Sequence, residues 1–145
     1  MREYRGKRVD NGEWVFGYYG ELTDGGIVKS YIMKCSVLIN TTKKYFFNDY
    51  DVITESVGEF TGLKKIKRMV FTGDIVVHHR NEWSGKYTAT GAKHYEKVSS
   101  VHEVYFDTEM LEFGLKNSSA LFHCQFANEF EIIGNITDNP ELLNE

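Results

Sequence analysis

Apolar and polar positions alternate with a period of two along most of this chain, and glycine-containing turns interrupt the alternation. Asn11-Gly12 is a hairpin signal between a run over residues 4–9 and another over 13–19. In the second run Trp14, Phe16 and Tyr18 fall on one face while Val15 and Tyr19 fall on the other. Both faces carry apolar groups, so this strand is expected to be covered on both sides. Asp24-Gly25-Gly26 predicts a second turn, followed by strands over 27–33 and 36–40. Residues 45–52 are aromatic and less regular, and fit a strand or an ordered loop. Segments 57–60 and 71–78 then flank a short basic loop. Residues 81–99 are polar with no clean period and read as a long loop or a mobile hairpin. Alternation resumes over 100–107, with shorter runs over 111–115 and 120–127. Phe130, Ile132 and Ile136 share one face of a last strand, and Gly134 between them suggests a bulge.

The chain is organised around Glu59-Phe60-Thr61-Gly62-Leu63 and Phe71-Thr72-Gly73-Asp74-Ile75-Val76-Val77. Gly62, Gly73 and Asp74 are the expected structural turn residues. Gly73 tolerates a positive φ, and Asp74 can accept hydrogen bonds from neighbouring amides. Ile75-Val76-Val77 is a β-branched run suited to a buried strand. No amphipathic pattern at 3.6 spacing persists for a dozen residues. Asn139-Pro140-Glu141 predicts a helix start, with Asn139 as N-cap, but leaves room for only about two turns. The fold class is therefore mainly β: one or more small barrels, SH3-like among the options, or a sandwich of short antiparallel strands, ending in a short helical turn. A single domain over 1–145 is expected, with a division into two β subdomains, about 1–56 and 57–145, left open.

Composition narrows the function classes. The formal charge is −4 over 145 residues, which gives no generic attraction to nucleic acid or to an anionic membrane. Aromatic residues make up 14 %, a high share that suits strand-built cores. Cys35 and Cys124 are too few for a disulfide scaffold. The first residues lack the apolar stretch of a signal peptide, and no run approaches the ~20 apolar residues that span a bilayer. A cytoplasmic location without membrane contact is expected.

Candidate chemistry is sparse. His78 and His79 are adjacent, so a regular strand points them to opposite faces, and His123 and Cys124 share that geometry. No spacing typical of a zinc site occurs, and neither a metal nor a cofactor is expected. There is no Gly-x-Ser-x-Gly elbow, and Cys124 between Phe122 and Phe126 reads as a small buried apolar group. His94, His102 or His123 would need a carboxylate within reach to act in a catalytic cleft. Asp74 reads as a turn carboxylate rather than a general base. Glu129 and Glu131 lie two apart on one strand face, most simply a solvated one. No catalytic residue is assigned. Lys64, Lys65, Lys67 and Arg68 form the only concentrated positive charge. With Tyr45, Phe46, Phe47 and Tyr50 they could build an aromatic-basic platform for single-stranded nucleic acid or a partner. A solvated hairpin tip is the plainer reading of the same lysines.

Three stretches resemble the YopX family of phage and prophage proteins. The first is Tyr4-Arg5-Gly6-Lys7-Arg8-Val9-Asp10-Asn11-Gly12-Glu13-Trp14-Val15-Phe16-Gly17-Tyr18-Tyr19. The second is Val57-Gly58-Glu59-Phe60-Thr61-Gly62-Leu63 with Gly73-Asp74-Ile75-Val76. The third is Glu131-Ile132-Ile133-Gly134-Asn135-Ile136 with Asp138-Asn139-Pro140-Glu141-Leu142-Leu143. They occur in the family's order. One departure is Lys65-Ile66-Lys67-Arg68, where the family carries an Asp/Asn-Gly turn. The resemblance implies a mainly β protein of phage or prophage origin in a bacterial host, a candidate for self-assembly, and it transfers no catalytic residue. The leading expectation is a non-enzymatic interaction or self-assembly module, forming a homo-oligomer or binding a phage or host protein. A nucleic-acid-binding barrel using the loop 64–68 comes second, and an enzyme third.

Overall fold

The computed structural model describes residues 3–38, 44–65, 68–118 and 130–144. The expected run over 120–127, with His123 and Cys124, lies outside them, as do Lys67 and Glu129. Among the described residues there are ten strands: β1 (Tyr4–Lys7), β2 (Trp14–Asp24), β3 (Ile27–Leu38), β4 (Lys44–Val52), β5 (Gly58–Lys65), β6 (Arg68–Phe71), β7 (Asp74–Tyr87), β8 (Lys93–Asp107), β9 (Glu112–Leu115) and β10 (Phe130–Asn135). They form two antiparallel sheets, ordered β4-β3-β2-β1-β5-β6 and β10-β7-β8-β9. The fold is thus mainly β, as the alternation predicts. Of the expected architectures it takes the two-sheet one, because neither sheet is a closed barrel.

The glycine turns fall where the sequence places them. β1 and β2 pair from Tyr4↔Gly17 to Lys7↔Trp14 across the Asn11-Gly12 turn. β2 and β3 pair to Asp24↔Ile27 around Gly25-Gly26. The six-stranded sheet curls until Arg8 meets Val52 in an isolated bridge. The Ile53 N–H donates to the Lys7 carbonyl at 2.8 Å there. Ile32 and Val52 are buried inside the curl. Gly17 makes the close approach possible, since a Cβ at this position would lie 2.1 Å from the Met33 carbonyl oxygen.

The chain passes from one sheet to the other between Thr72 and Gly73. Thr72 still exchanges hydrogen bonds with Glu59 of β5: its N–H donates to the Glu59 carbonyl (2.9 Å), and its Oγ1 accepts from the Glu59 N–H (2.8 Å). Gly73 already belongs to the second sheet, its N–H donating to the Val104 carbonyl (2.8 Å) and its carbonyl accepting from Ile136 (2.9 Å). Gly73 has φ +78°, which fits the glycine expected in this turn. The sequence reads 71–78 as one strand; Phe71 and Asp74 in fact sit in different sheets. Val70 and Phe71 before the switch and Ile75 and Val76 after it are all buried, with Thr72-Gly73-Asp74 making the turn between them. Val70 of β6, with Leu63 of β5, packs against Val76, Val104, Leu115 and Phe130 of the other sheet.

Three local expectations are revised, and a fourth, loop or hairpin at 81–99, is narrowed to the hairpin. Residues 27–33 and 36–40 are one continuous strand, β3. Gly62 is not in a turn but inside β5, at φ +85°, where the β5–β6 register shifts between Phe60 and Lys64 as in a bulge. The C-terminal turn, Pro140–Leu143, is 3₁₀, and the Asn139 side chain makes no cap hydrogen bond. Residues 81–99 are the distal part of a long hairpin formed by β7 and β8. The bulge expected at Gly134 is present as a register shift between Ile132 and Gly134.

Gly17→Ala is expected to lower stability by about 2 kcal/mol or more, because the added methyl meets backbone that has no rotamer to escape into. Urea unfolding checks this, and an unchanged midpoint would contradict the packing described.

Candidate functional site

The chemistry converges on Arg5 in β1. Its Nη1 donates to Asp74 Oδ1 at 2.5 Å, and Asp74 is fully buried. Oδ2 of Asp74 accepts from the Phe71 N–H at 2.9 Å. The guanidinium lies between two rings, 4.9 Å from the centroid of Trp14 and 5.0 Å from that of Phe71. Stacked arginine is favourable here because its planar, weakly hydrated cation tolerates burial better than an ammonium does. Nη2 reaches the Thr72 carbonyl at 3.4 Å. Nε is buried and makes no hydrogen bond among the described residues. Both carboxylate oxygens of Asp74 are therefore used structurally. The turn role expected for Asp74 is correct as far as the Phe71 amide goes; its arginine partner, 69 positions away, has no local signal in the sequence.

A second tie lies beside it. Asp138 follows β10 and accepts from Lys7 Nζ at 2.5 Å, from Trp14 Nε1 at 2.9 Å and from Asn135 Nδ2 at 3.2 Å. The Lys7 ammonium, then the Trp14 indole, hold its carboxyl down to about 2. Thus Trp14 stacks on one inter-sheet pair and donates to the other.

Two clefts flank Arg5. The larger, about 460 Å³, is walled by Trp14, Phe16, Met69 and Phe71, with Glu3, Arg68 and Asn135 supplying polar edges. The smaller, about 250 Å³, lies on the side of Ser56, Thr72 and Tyr105. A group entering the larger cleft meets ring faces and the edge of a cation that is already neutralised.

The structure places the remaining candidates apart. Lys64 and Arg68 are exposed at the end of the β5–β6 hairpin, where Lys65 pairs with Arg68. Tyr45, Phe46 and Phe47 belong to β4, the outer strand at the other edge of the sheet order. The basic hairpin and the aromatic strand therefore do not lie side by side in the sheet. His78 and His102 are buried neighbours on β7 and β8, with ring centroids 6.5 Å apart. His102 Nδ1 meets the Lys116 carbonyl at 2.9 Å, and Nε2 meets Ser100 Oγ at 2.7 Å. His79 points to the opposite face and meets Ser99 Oγ at 2.8 Å. His94 lies 3.8 Å from Glu96 on the exposed part of the hairpin, away from both clefts. Glu131 is exposed. Among the described residues no three His, Cys, Asp or Glu side chains are grouped to hold a metal. No helix among them is long and apolar enough to cross a membrane.

Two features escaped the sequence reading. β2 and β3 beyond Gly20 and Ser30 pair only with each other among the described residues, and so do β7 and β8 between His79 and Ser99. Both ribbons display large exposed apolar groups: Leu22, Ile27 and Val28 on the first, Trp83, Tyr87 and Tyr95 on the second. The signal available in advance was Trp83, Tyr87 and Tyr95 within an otherwise polar stretch.

Comparison with protein families matches residues 3–144 to the family described as YopX protein. The chain belongs to the YopX family. Comparison with curated proteins and with solved structures returned no match. All three stretches that carried the resemblance lie within the YopX match, and they meet in space: Arg5 and Trp14 come from the first, Asp138 from the third. Asp74 belongs to the second, which makes the Arg5 cluster the place where the three YopX stretches meet.

Two measurements test this site. Asp74→Asn is expected to cost about 3–5 kcal/mol in urea unfolding, since it strands the Arg5 charge in the interior. Adding Arg5→Met to it should recover part of that loss, and strictly additive losses would contradict a coupled pair. The Asp138 carboxyl is lowered in the folded chain, so its contribution is complete above the unfolded value near 4 and is lost as pH falls through about 2. It is partly exposed, which limits the contribution to about 1 kcal/mol or less. Asp138→Asn should remove that component of acid destabilisation between about pH 4 and pH 2, read by thermal melts across the range.

Proposed function

We propose that this YopX chain is a binding and self-assembly module of phage or prophage origin, acting in the bacterial cytoplasm without catalysing a reaction. One observation carries the reading: large exposed apolar side chains gather on two ribbons that no third strand flanks among the described residues, while the best-placed carboxylate, Asp74, is consumed by the framework. An isolated two-stranded ribbon is marginal in water unless one of its faces finds a partner. On the β2–β3 ribbon Asp24 pairs with Ile27 and Leu22 with Lys29, so Leu22 and Ile27 share a face. They are 56 % and 64 % exposed. Burying each against a second copy contributes roughly 1.5–3 kcal/mol, and a two-fold arrangement uses the same pair from both chains.

Light scattering across a concentration series tests the reading. The unaltered chain is expected to exceed its monomer mass at micromolar concentration, and Leu22→Glu with Ile27→Glu should return it to the monomer. Stability should change by no more than about 0.5 kcal/mol, because neither side chain packs into the interior. An unaltered chain that stays monomeric throughout removes the self-assembly part of the proposal.

A further inference from the structure

The β7–β8 ribbon is chemically two-sided. Directly paired residues of an antiparallel pair share a face. On one side, outward from His79, this places His79 with Ser99, Asn81 with Lys97, and Trp83 with Tyr95. Tyr87 and Lys93 join the same side beyond a register shift, because the Tyr87 ring lies 6.0 Å from Trp83 and the Lys93 ammonium sits 5.4 Å over the Trp83 ring. The other side carries Arg80 bonded to Glu82, His94 beside Glu96, and Ser84 bonded to His94. Residues 80–97 hold four cations (Arg80, Lys86, Lys93, Lys97) against two carboxylates (Glu82, Glu96) in a chain that is acidic overall. Both carboxylates lie on the second side. The first side therefore presents three aromatic rings and two lysines with no acidic group among them. Trp83, Tyr87 and Tyr95 are 50, 63 and 55 % exposed.

We infer that this face of the β7–β8 ribbon binds single-stranded nucleic acid, with bases stacked on Trp83, Tyr87 and Tyr95 and phosphates met by Lys93 and Lys97. The inference rests on the reading of the chain as a binding module and names the partner of one ribbon. Unpaired bases offer faces to exposed rings whatever their sequence, and lysines beside the rings meet the backbone charge. At ~3.4 Å per residue the face runs for about 25 Å, enough for a few stacked nucleotides. Within residues 80–97 no carboxylate shares this face; Glu131, opposite Val77, lies on it only at the inner end, away from the rings. The site lies on the other sheet from the basic hairpin at Lys64 and Arg68, where Arg68 instead edges the cleft walled by Trp14, Phe16 and Phe71.

Fluorescence anisotropy of a labelled oligothymidylate of about 12 nucleotides tests this on the full chain. Binding is expected at about 20 mM salt, weakening roughly 25-fold by about 200 mM if two phosphates are neutralised on a single strand. Trp83→Ala and Tyr95→Ala should each weaken it by about tenfold or more, and Lys93→Gln with Lys97→Gln should flatten the salt dependence. Quenching of tryptophan emission in the unaltered chain gives a readout independent of any variant. No binding at low salt overturns the inference. So does binding unchanged by the ring variants, binding abolished only by Lys64→Gln with Arg68→Gln, or a duplex that binds as tightly as the single strand. Ring variants that alter the light-scattering mass in a chain with no oligonucleotide affinity also overturn it, while leaving the binding-module reading in place.

Discussion

A charge pair sealed between two sheets is the constraint from which the rest of this structure follows. Arg5 sits on a central strand of the six-stranded sheet, and Asp74 opens the first strand of the other. Desolvating such a pair is costly, and attraction alone seldom repays it. Here further contacts add to the attraction. Two ring faces cover the cation, the Phe71 amide satisfies the second carboxylate oxygen, and the Thr72 carbonyl takes another guanidinium donor. The arrangement fixes one relative placement of the sheets, because a shifted interface would leave both charges buried and alone. The Lys7–Asp138 tie repeats the device nearer the surface, where solvent screening makes it weaker.

How much of this was legible depended on whether a feature leaves a local trace. Asn11-Gly12 and Gly25-Gly26 did, because a tight turn demands positive φ at fixed positions. The register irregularity at Gly134 did as well. The switch of sheets at Thr72–Gly73 left only its turn: Gly73-Asp74 marks a bend, and a bend looks the same whether the chain stays in one sheet or crosses to another. The distal hairpin was left open between a loop and a hairpin for a different reason. Period-two patterning reports a half-buried strand, and residues 80–97 are mostly exposed on both faces, so nothing selects for alternation there. The Arg5–Asp74 contact joins positions too far apart for spacing to reveal it.

The same contrast separates the buried framework from the exposed ribbons. Around Arg5, nearly every polar group has a partner and the rings are packed, which leaves little for a ligand to gain. In the two ribbons the strands pair with each other, with a register shift between Trp83 and Tyr87, and large side chains are left in water. Family membership over residues 3–144 fits this division of labour, since the stretches that carried the likeness build the framework and the long ribbon at 81–99 lies outside them. A scaffold of this kind lets its projecting arms vary without disturbing what holds them.

The pairing of β1 with β5, and of Arg5 with Asp74, also sets an order of events during synthesis. Strand β1 can form its hairpin with β2 as soon as both have left the ribosome, yet its buried arginine stays uncovered until the chain has grown past the sheet switch. Contacts this distant in sequence slow folding, and nascent chains emerge at only about 5–20 residues per second. For several seconds the amino-terminal hairpin therefore waits with its arginine and aromatic rings in water until Phe71 and Asp74 arrive to cover them.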